Sequence, residues 1–241
     1  MSVFSTNIAL RPLALVLWIM LATGTLSAQI ERVIRMPYAD YRPSYLGLQV
    51  GTQLGGISLR NSGLQTASGA VLYAEQAGYR LGLSIGLVGG LVLEPGWELR
   101  AMPTLHIGDR LIRYSDGTNE VERIRLSTTS LTLPLQLKWA AERERNIRPY
   151  LALGPYLGLN LGGRSGDTLR AQPLELGLHT SLGCDLYLGQ IKLSPELSYS
   201  YAFGQAIRLN RPELAGDPRL RYTTALSASR KHQITLSFHF Q

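Results

Sequence analysis

The chain has 241 residues, enough for one large domain, and only 17% of them are charged, against roughly 25% in ordinary soluble domains. The 24 lysines and arginines outnumber the 17 acids and give a net charge of +7, but they are scattered along the chain, which argues against nucleic-acid binding. The single cysteine, Cys184, excludes an internal disulfide and a cysteine zinc site. We expect no cofactor, no metal and no nucleic-acid partner.

Residues 1–28 have the pattern of a secretory signal peptide. Arg11 supplies the positive end, residues 13–22 are apolar, and Ala28 offers a small side chain before the expected cleavage point. The apolar stretch is shorter than the ~20 residues that a membrane-spanning helix needs. We predict cleavage after Ala28, with an uncleaved membrane anchor as the alternative, and we expect residues 29–43 to form an N-terminal segment in the periplasm.

From residue 44 onward, apolar and polar residues alternate with a period of two, which is typical of β-strands with two unlike faces. Eight such segments are predicted, at residues 45–54, 80–93, 97–113, 125–139, 148–162, 174–188, 191–203 and about 233–241. The connections alternate between long and short, and the short ones at 94–96 and 189–190 carry Pro or Gly. An even number of strands in this order can close into an up-and-down barrel.

Leucine dominates the apolar face of these strands, and Gly, Ser and Thr are frequent on the other face. A soluble barrel would turn the leucines inward, whereas leucines facing lipid also explain the aromatic residues near the strand ends. These aromatics are Trp97, Trp139, Tyr199, Tyr201 and Phe203. The sequence therefore predicts an all-β fold, an eight-stranded antiparallel up-and-down transmembrane β-barrel over residues 44–241, in the outer membrane.

Four prolines fall inside the predicted strands: Pro103, Pro134, Pro155 and Pro195. Each removes one hydrogen-bond donor from a β-ladder. We expect bulges or local breaks at these positions, and misplaced strand ends are the alternative.

Six charged residues fall on the inward face near the short turns: Glu98, Arg100, Lys138, Asp185, Lys192 and Glu196. Three acids balance three bases, and the interior of an eight-stranded barrel is just filled by side chains. We predict a salt-bridged plug that leaves no buried charge unpaired, with a proton or ion path as the alternative. His106 and His179 also point inward, but alternation alone assigns them no catalytic constellation.

The long connections carry many arginines, and residues 205–222 contain the candidate docking set Arg208, Arg211, Arg219 and Arg221. Arginine makes bidentate contacts with phosphates and carboxylates, so lipopolysaccharide and partner proteins are both candidate ligands. Simple solvation of the loop is the alternative.

Several stretches resemble the PorT family of small outer-membrane barrels of Bacteroidota. They include Leu-Pro-Leu-Gln-Leu-Lys at 133–138, Leu-Ser-Pro-Glu-Leu-Ser-Tyr at 193–199, and residues 95–110 and 148–156. The resemblance covers residues 44–241. It implies a non-enzymatic protein needed for assembly or operation of the type IX protein secretion system, in contact with outer-membrane lipid, lipopolysaccharide and other secretion proteins.

Two alternatives to this role remain. A general small barrel could serve adhesion or envelope integrity. A lipid-modifying enzyme could use His106 or His179, although the family offers no catalytic signature to carry over.

Overall fold

The computed structural model describes residues 34–64, 71–116, 119–162, 167–214 and 216–241. The predicted signal peptide at 1–28 and the first residues of the predicted N-terminal segment lie outside the described residues. The chain divides into two units, Met1–Ile34 and Arg35–Gln241, and every strand of the described residues belongs to the second unit. In the described part of the chain, no helix is long and apolar enough to cross a membrane.

The described residues contain twelve β-strands, one short α-helix and two 3-10 turns. The strands are β1 (Ser44–Asn61), β2 (Tyr73–Gln76), β3 (Leu81–Glu94), β4 (Trp97–Ala101), β5 (Thr104–Ile107), β6 (Asp109–Ser115), β7 (Glu120–Ser127), β8 (Ser130–Ala140), β9 (Ile147–Asn160), β10 (Leu174–Leu188), β11 (Ile191–Ala202) and β12 (Leu226–Phe240). The helix is α1 (Leu220–Thr224), and the 3-10 turns are Ala39–Tyr41 and Pro212–Leu214.

Nine of the strands form a ring with eight positions. Strands β4 and β5 together fill one position, because both pair with β3 on one side and β8 on the other. The remaining positions follow as β8, β9, β10, β11 and β12, and β1 pairs with both β12 and β3. Every neighbouring pair is antiparallel, so the predicted eight-stranded antiparallel fold is confirmed.

The apolar faces of the ring strands point outward. Leu153 on β9 and Leu174 on β10 are 53% and 61% exposed, whereas the inward Gln136 on β8 is fully buried. An exposed apolar surface that runs around a whole ring is unstable in water and stable in a bilayer. The predicted orientation, with leucines on the outside and polar residues inside, is confirmed.

Aromatic side chains mark the two ends of this apolar surface. Trp97 and Trp139 face each other across β4 and β8, next to the short β3–β4 turn. Tyr201 and Phe203 lie at the opposite end, with ring centroids 6.1 Å apart. We call the first end, with the short connections, the turn end, and the other the loop end; in outer-membrane barrels short turns face the periplasm.

Breaks in the ladder, without a change of register, accommodate the four prolines. Pro103 lies in the gap between β4 and β5. Between β8 and β9, Pro134 pairs with Tyr156, and pairing resumes in the same register beyond the gap that faces Pro155. The β10–β11 ladder is likewise interrupted opposite Pro195 and resumes unshifted. Each proline therefore removes residue pairs only in its own neighbourhood. The side chains beyond the gap point to the same faces as before, because the register is unchanged.

The predicted strands at 45–54 and about 233–241 are too short at the loop end, because β1 continues to Asn61 and β12 begins at Leu226. Two other predicted strands are divided there. The predicted strand at 97–113 is divided into β4, β5 and β6, and the one at 125–139 into β7 and β8. At Gly108 and Thr128 the chain leaves the ring, and the Thr128 amide donates to the Gly108 carbonyl at 3.1 Å. Beyond that point β6 pairs with β7 and β2 in a separate three-stranded sheet. The alternation continues there because this small sheet also has one buried face.

That buried face belongs to an apolar cluster that we call the loop-end cap. All four long connections contribute to it, and its members are Ile57, Leu72, Ala74, Ile112, Tyr114, Leu126, Leu169, Ala171, Ala206, Ile207, Tyr222, Ala225 and Leu226. The rings of Tyr114 and Tyr222 meet edge to face with centroids 4.9 Å apart. The Tyr114 hydroxyl also donates to the Tyr222 carbonyl at 2.9 Å. The segments expected as long loops therefore include an ordered, packed structure.

Candidate functional site in the lumen and at both ends

The lumen next to the turn end holds the six charged residues predicted for it, which we call the turn-end network. The Arg100 guanidinium lies 2.7 Å from the Glu196 carboxylate, and both side chains are 1% exposed. Arg100 also donates to the Gln136 side-chain oxygen at 2.7 Å, and the Tyr150 hydroxyl donates to Glu196 at 2.8 Å. Each charge thus has charged and neutral partners, as burial in a medium of low dielectric constant requires.

The other four charges of the network lie around Lys138. Its ammonium nitrogen lies 2.8 Å from Asp185 and 3.3 Å from Glu98. Lys192, which is partly exposed, lies 3.7 Å from Asp185, and the Tyr45 hydroxyl donates to Glu98 at 2.8 Å. The six side chains therefore come from β4, β8, β10 and β11, and they meet only because the ring closes.

Inward glycines make room for the large side chains of this network. A Cβ atom on Gly183 would lie 2.4 Å from the Tyr150 ring, and one on Gly90 would lie 2.3 Å from the Tyr45 ring. Both tyrosines bond to carboxylates of the network, so the small residue on one strand lets the tyrosine of its neighbour lie across the lumen. The glycine-rich inward face seen in the sequence therefore reflects packing.

Sequence reasoning missed a second ion pair closer to the loop end. The Lys231 ammonium lies 2.8 Å from Glu175, and Asn160 donates to the same carboxylate at 2.7 Å. Lys231 lies in a part of β12 that precedes the predicted start of the last strand. Its surroundings, Ser-Ala-Ser-Arg-Lys-His, lack the apolar alternation that marks the rest of the barrel.

The two predicted inward histidines lie between these ion clusters. His106 is within hydrogen-bond distance of the hydroxyls of Ser84 and Thr132, both at 3.0 Å, and His179 of the Ser200 hydroxyl at 2.7 Å. Both line an interior cavity of about 10 Å³, which is near the smallest size that can hold a water molecule. The imidazole rings of His106 and His179 point into the lumen toward hydroxyl groups. Neither ring therefore lies on the lipid-facing side of the wall.

No group of three or more His, Cys, Asp or Glu side chains among the described residues is arranged to hold a metal ion. Inward side chains are buried from the turn-end network to the Lys231–Glu175 pair, and the interior of an eight-stranded barrel is just wide enough for side chains to fill. The arrangement can hold the wall together from inside and occlude passage.

Residues 35–43 fold against the turn end through Asp40. Its carboxylate lies 3.2 Å from Arg143 and 3.1 Å from Arg148, and it accepts a hydrogen bond from the Tyr187 hydroxyl. The Arg143 guanidinium also lies 3.5 Å from the centre of the Tyr187 ring. One carboxylate thus joins the predicted N-terminal segment to β9, β10 and the β8–β9 connection.

Replacing Asp40 with alanine should release this segment. Charge-assisted hydrogen bonds contribute about 1.5–3 kcal/mol each, so the loss of Asp40 should raise the rate of trypsin cleavage after Arg35 by about ten-fold or more. Mass spectrometry of the digested protein in lipid vesicles gives the rate. Glu94→Ala, at an exposed carboxylate of the same end, is the control, and equal rates in both variants would contradict the role of Asp40.

The structure separates the four arginines of the candidate docking set. Arg219 and Arg221 are exposed and Arg208 is half-buried, but Arg211 is 2% exposed. The Arg211 guanidinium donates to the Asp167 carbonyl at 2.9 Å and to Glu213 at 2.7 Å. The expectation that Arg211 faces a partner at the surface is therefore wrong, because it holds two connections of the loop end together.

Arg219 is exposed but engaged by a neighbouring acid. Its side chain and backbone donate to the Asp217 carboxylate, with a side-chain distance of 2.9 Å. These hydrogen bonds lower the pKa of Asp217 to about 2. Arg221 donates to the Tyr222 hydroxyl at 2.8 Å.

A closed antiparallel ring with an apolar outside, aromatic ends and a filled polar lumen defines a small β-barrel protein of the outer membrane. The sequence matches the outer membrane protein beta-barrel domain family over residues 28–208, and the chain belongs to this family. None of the curated proteins matches the chain in sequence.

The chain is similar to several solved structures of small outer-membrane barrels, at low sequence identity. OprG from Pseudomonas aeruginosa is 13% identical, with 82% of this chain and 92% of that chain covered and a TM-score of 0.44. The Neisserial surface protein A is 13% identical, with 82% and 98% covered and a TM-score of 0.43. Ail of Yersinia pestis is 10% identical, with 83% and 98% covered and a TM-score of 0.34.

Proposed function

We propose that this protein is a non-enzymatic, non-conducting barrel that acts through contacts made by its two ends. The filled lumen carries this proposal. Buried ion pairs next to the turn end, a second pair below the cap, and the packed cap itself succeed one another along the barrel axis. The barrel then acts through the surfaces that it presents on the two sides of the membrane.

The particular process that we propose is assembly or operation of the type IX protein secretion system. The sequence stretches that resemble the PorT family support it. The ordered turn end supports it as well, because Asp40 fixes a segment there that is available for contact with other secretion proteins. At the loop end, Arg208, Arg219 and Arg221 remain as candidate docking residues.

Deletion of the gene tests this role. Secreted substrates of the system should remain inside the cell while their synthesis continues, and a plasmid copy should restore export. A copy with Asp40→Ala should restore the level of folded barrel and only part of the export. Normal secretion in the deletion strain would overturn the proposal.

Adhesion or envelope integrity is the second candidate function, and the rigid loop-end cap favours it. A packed cap presents a fixed surface to the cell exterior, as a recognition surface requires. In that case, substitutions at Arg219 and Arg221 should change cell attachment and leave protein export intact.

The filled lumen also predicts an electrical result. The purified barrel in a planar bilayer should show no stepwise conductance in concentrated KCl, because side chains occupy the eight-stranded interior. Single-channel recording checks this, and gel mobility before and after heating shows that the protein is folded. Repeated steps of uniform size would contradict the occluded lumen.

A further inference from the structure

On the outer wall of β1 and β12, the apolar surface gives way to a basic patch toward the loop end. Leu54 pairs with Ile234, and four residues further along the wall Ser58 pairs with Arg230. Arg60 follows on the same outward face of β1. Both arginines are exposed, so the transition from hydrocarbon-facing to cationic surface occurs within about 13 Å of strand.

The two arginines are diagonal neighbours on this face. Because Arg60 is paired with Ala228, Arg230 lies two residues further along β12, and diagonal positions in an antiparallel pair lie roughly 7–8 Å apart, within reach of long side chains. Two guanidinium groups can therefore converge on a single anion from this pair of strands.

Most other exposed arginines of the loop end form ion pairs with acidic side chains, whereas Arg60 and Arg230 do not within the described residues. Ion pairs with Asp or Glu engage Arg80, Arg113, Arg123, Arg125 and Arg219. Among the described residues, no carboxylate lies within ion-pair distance of Arg60 or Arg230, and Glu75 on the adjacent β2 is bonded to Arg113. The positive charge on this part of the wall is therefore uncompensated.

Polar and aromatic groups complete the patch. The imidazole of His232 lies across Gly56, where a Cβ atom would be 2.0 Å from the ring Nε2. Tyr201 on β11 pairs with His232. Aromatic rings beside polar donors are typical of the level at which lipid headgroups meet a barrel wall.

An apolar groove of about 370 Å³ lies on the same two strands and the neighbouring β3, toward the turn end. Its lining includes Val50, Thr52, Leu236 and Phe238. Thr52 is six residues from Ser58, about 20 Å along the strand. Because barrel strands are tilted, this spacing is comparable with the ~15 Å half-thickness of the hydrocarbon core.

We propose that Arg60 and Arg230, assisted by Ser58 and His232, bind the phosphate of a phosphorylated lipid in the outer leaflet. Guanidinium groups bind phosphate oxygens in pairs of parallel hydrogen bonds, and the outward face directs them to the headgroup layer. An acyl chain of the same lipid lies in the groove below. This site is independent of the proposed role in secretion.

Native mass spectrometry of the full-length mature barrel in detergent micelles tests the site. The probes are bis-phosphorylated lipid A and the same lipid without its phosphates. We expect the phosphorylated lipid to bind as one tightly held copy, and Arg60→Gln/Arg230→Gln to weaken this binding about ten-fold or more. Arg60→Lys/Arg230→Lys should lose less, since the charge remains and the paired hydrogen bonds do not.

Arg80→Gln/Arg123→Gln is the matched control, because it removes the same charge from the same end at arginines that Asp109 and Glu120 already engage. Binding to this variant should equal that of the wild type. Equal binding of the wild type and Arg60→Gln/Arg230→Gln, or equal binding of the two lipids, would overturn the proposal. So would inorganic phosphate that binds as tightly as the lipid, since the groove would then contribute nothing.

Discussion

Glu196→Ala is expected to destabilise the barrel by about 3–5 kcal/mol, since it leaves the buried Arg100 guanidinium without its anion. Burial is nearly complete on both sides of this pair, so water cannot replace the lost carboxylate. The Tyr150 hydroxyl loses its acceptor as well. Urea unfolding of the barrel in lipid vesicles, followed by gel mobility, measures the change in the free energy of unfolding.

Two further variants separate the buried charge from other effects. Glu120→Ala removes an exposed acid paired with Arg123 and should leave the free energy of unfolding almost unchanged, because solvent screens an exposed ion pair. Arg100→Met/Glu196→Leu removes both buried charges and should recover most of the lost stability. If Glu196→Ala were no more harmful than Glu120→Ala, the network would not stabilise the wall.

Leu153→Arg should cost about 2–4 kcal/mol, because it places a charge on the lipid-facing wall near the middle of β9. Leu161→Arg, just beyond the end of the same strand and 62% exposed, should cost about 0–1 kcal/mol at the membrane interface. The same urea titration in vesicles compares the two. Equal costs at both positions would mean that depth in the bilayer does not set the energy, and that Leu153 does not face lipid.

The part of the fold that faces lipid could be predicted from sequence because every second residue of such a strand contacts hydrocarbon and is therefore apolar. The limits of the predicted strand at 174–188 are those of β10, and the start of the predicted strand at residue 97 is that of β4. The same alternation, which we call parity, assigns the charged residues to the inward face of the wall. Parity does not give the partner across the lumen, and the pairing of Arg100 with Glu196 appears only in the closed ring.

The loop-end cap could not be predicted from periodicity. Ile207 and Tyr222 belong to a stretch without a regular period, and they are buried because four separate connections meet above the lumen. The burial of Arg211 could not be predicted for the same reason, since its partners at 167 and 168 are remote in sequence. Lys231 was missed because its strand begins earlier than the apolar alternation.

The orientation of the wall is the central claim, and spin-label accessibility tests it most directly. Cys184 is first replaced by alanine, and single cysteines are then introduced at Leu153 and Leu178 on the outward face and at Ser181 on the inward face. In lipid vesicles, nitroxides at 153 and 178 should be accessible to oxygen, which dissolves in lipid. They should be inaccessible to a water-soluble nickel chelate. The label at 181 should be closed to lipid-dissolved oxygen. Oxygen access at 181 together with none at 153 and 178 would contradict the account.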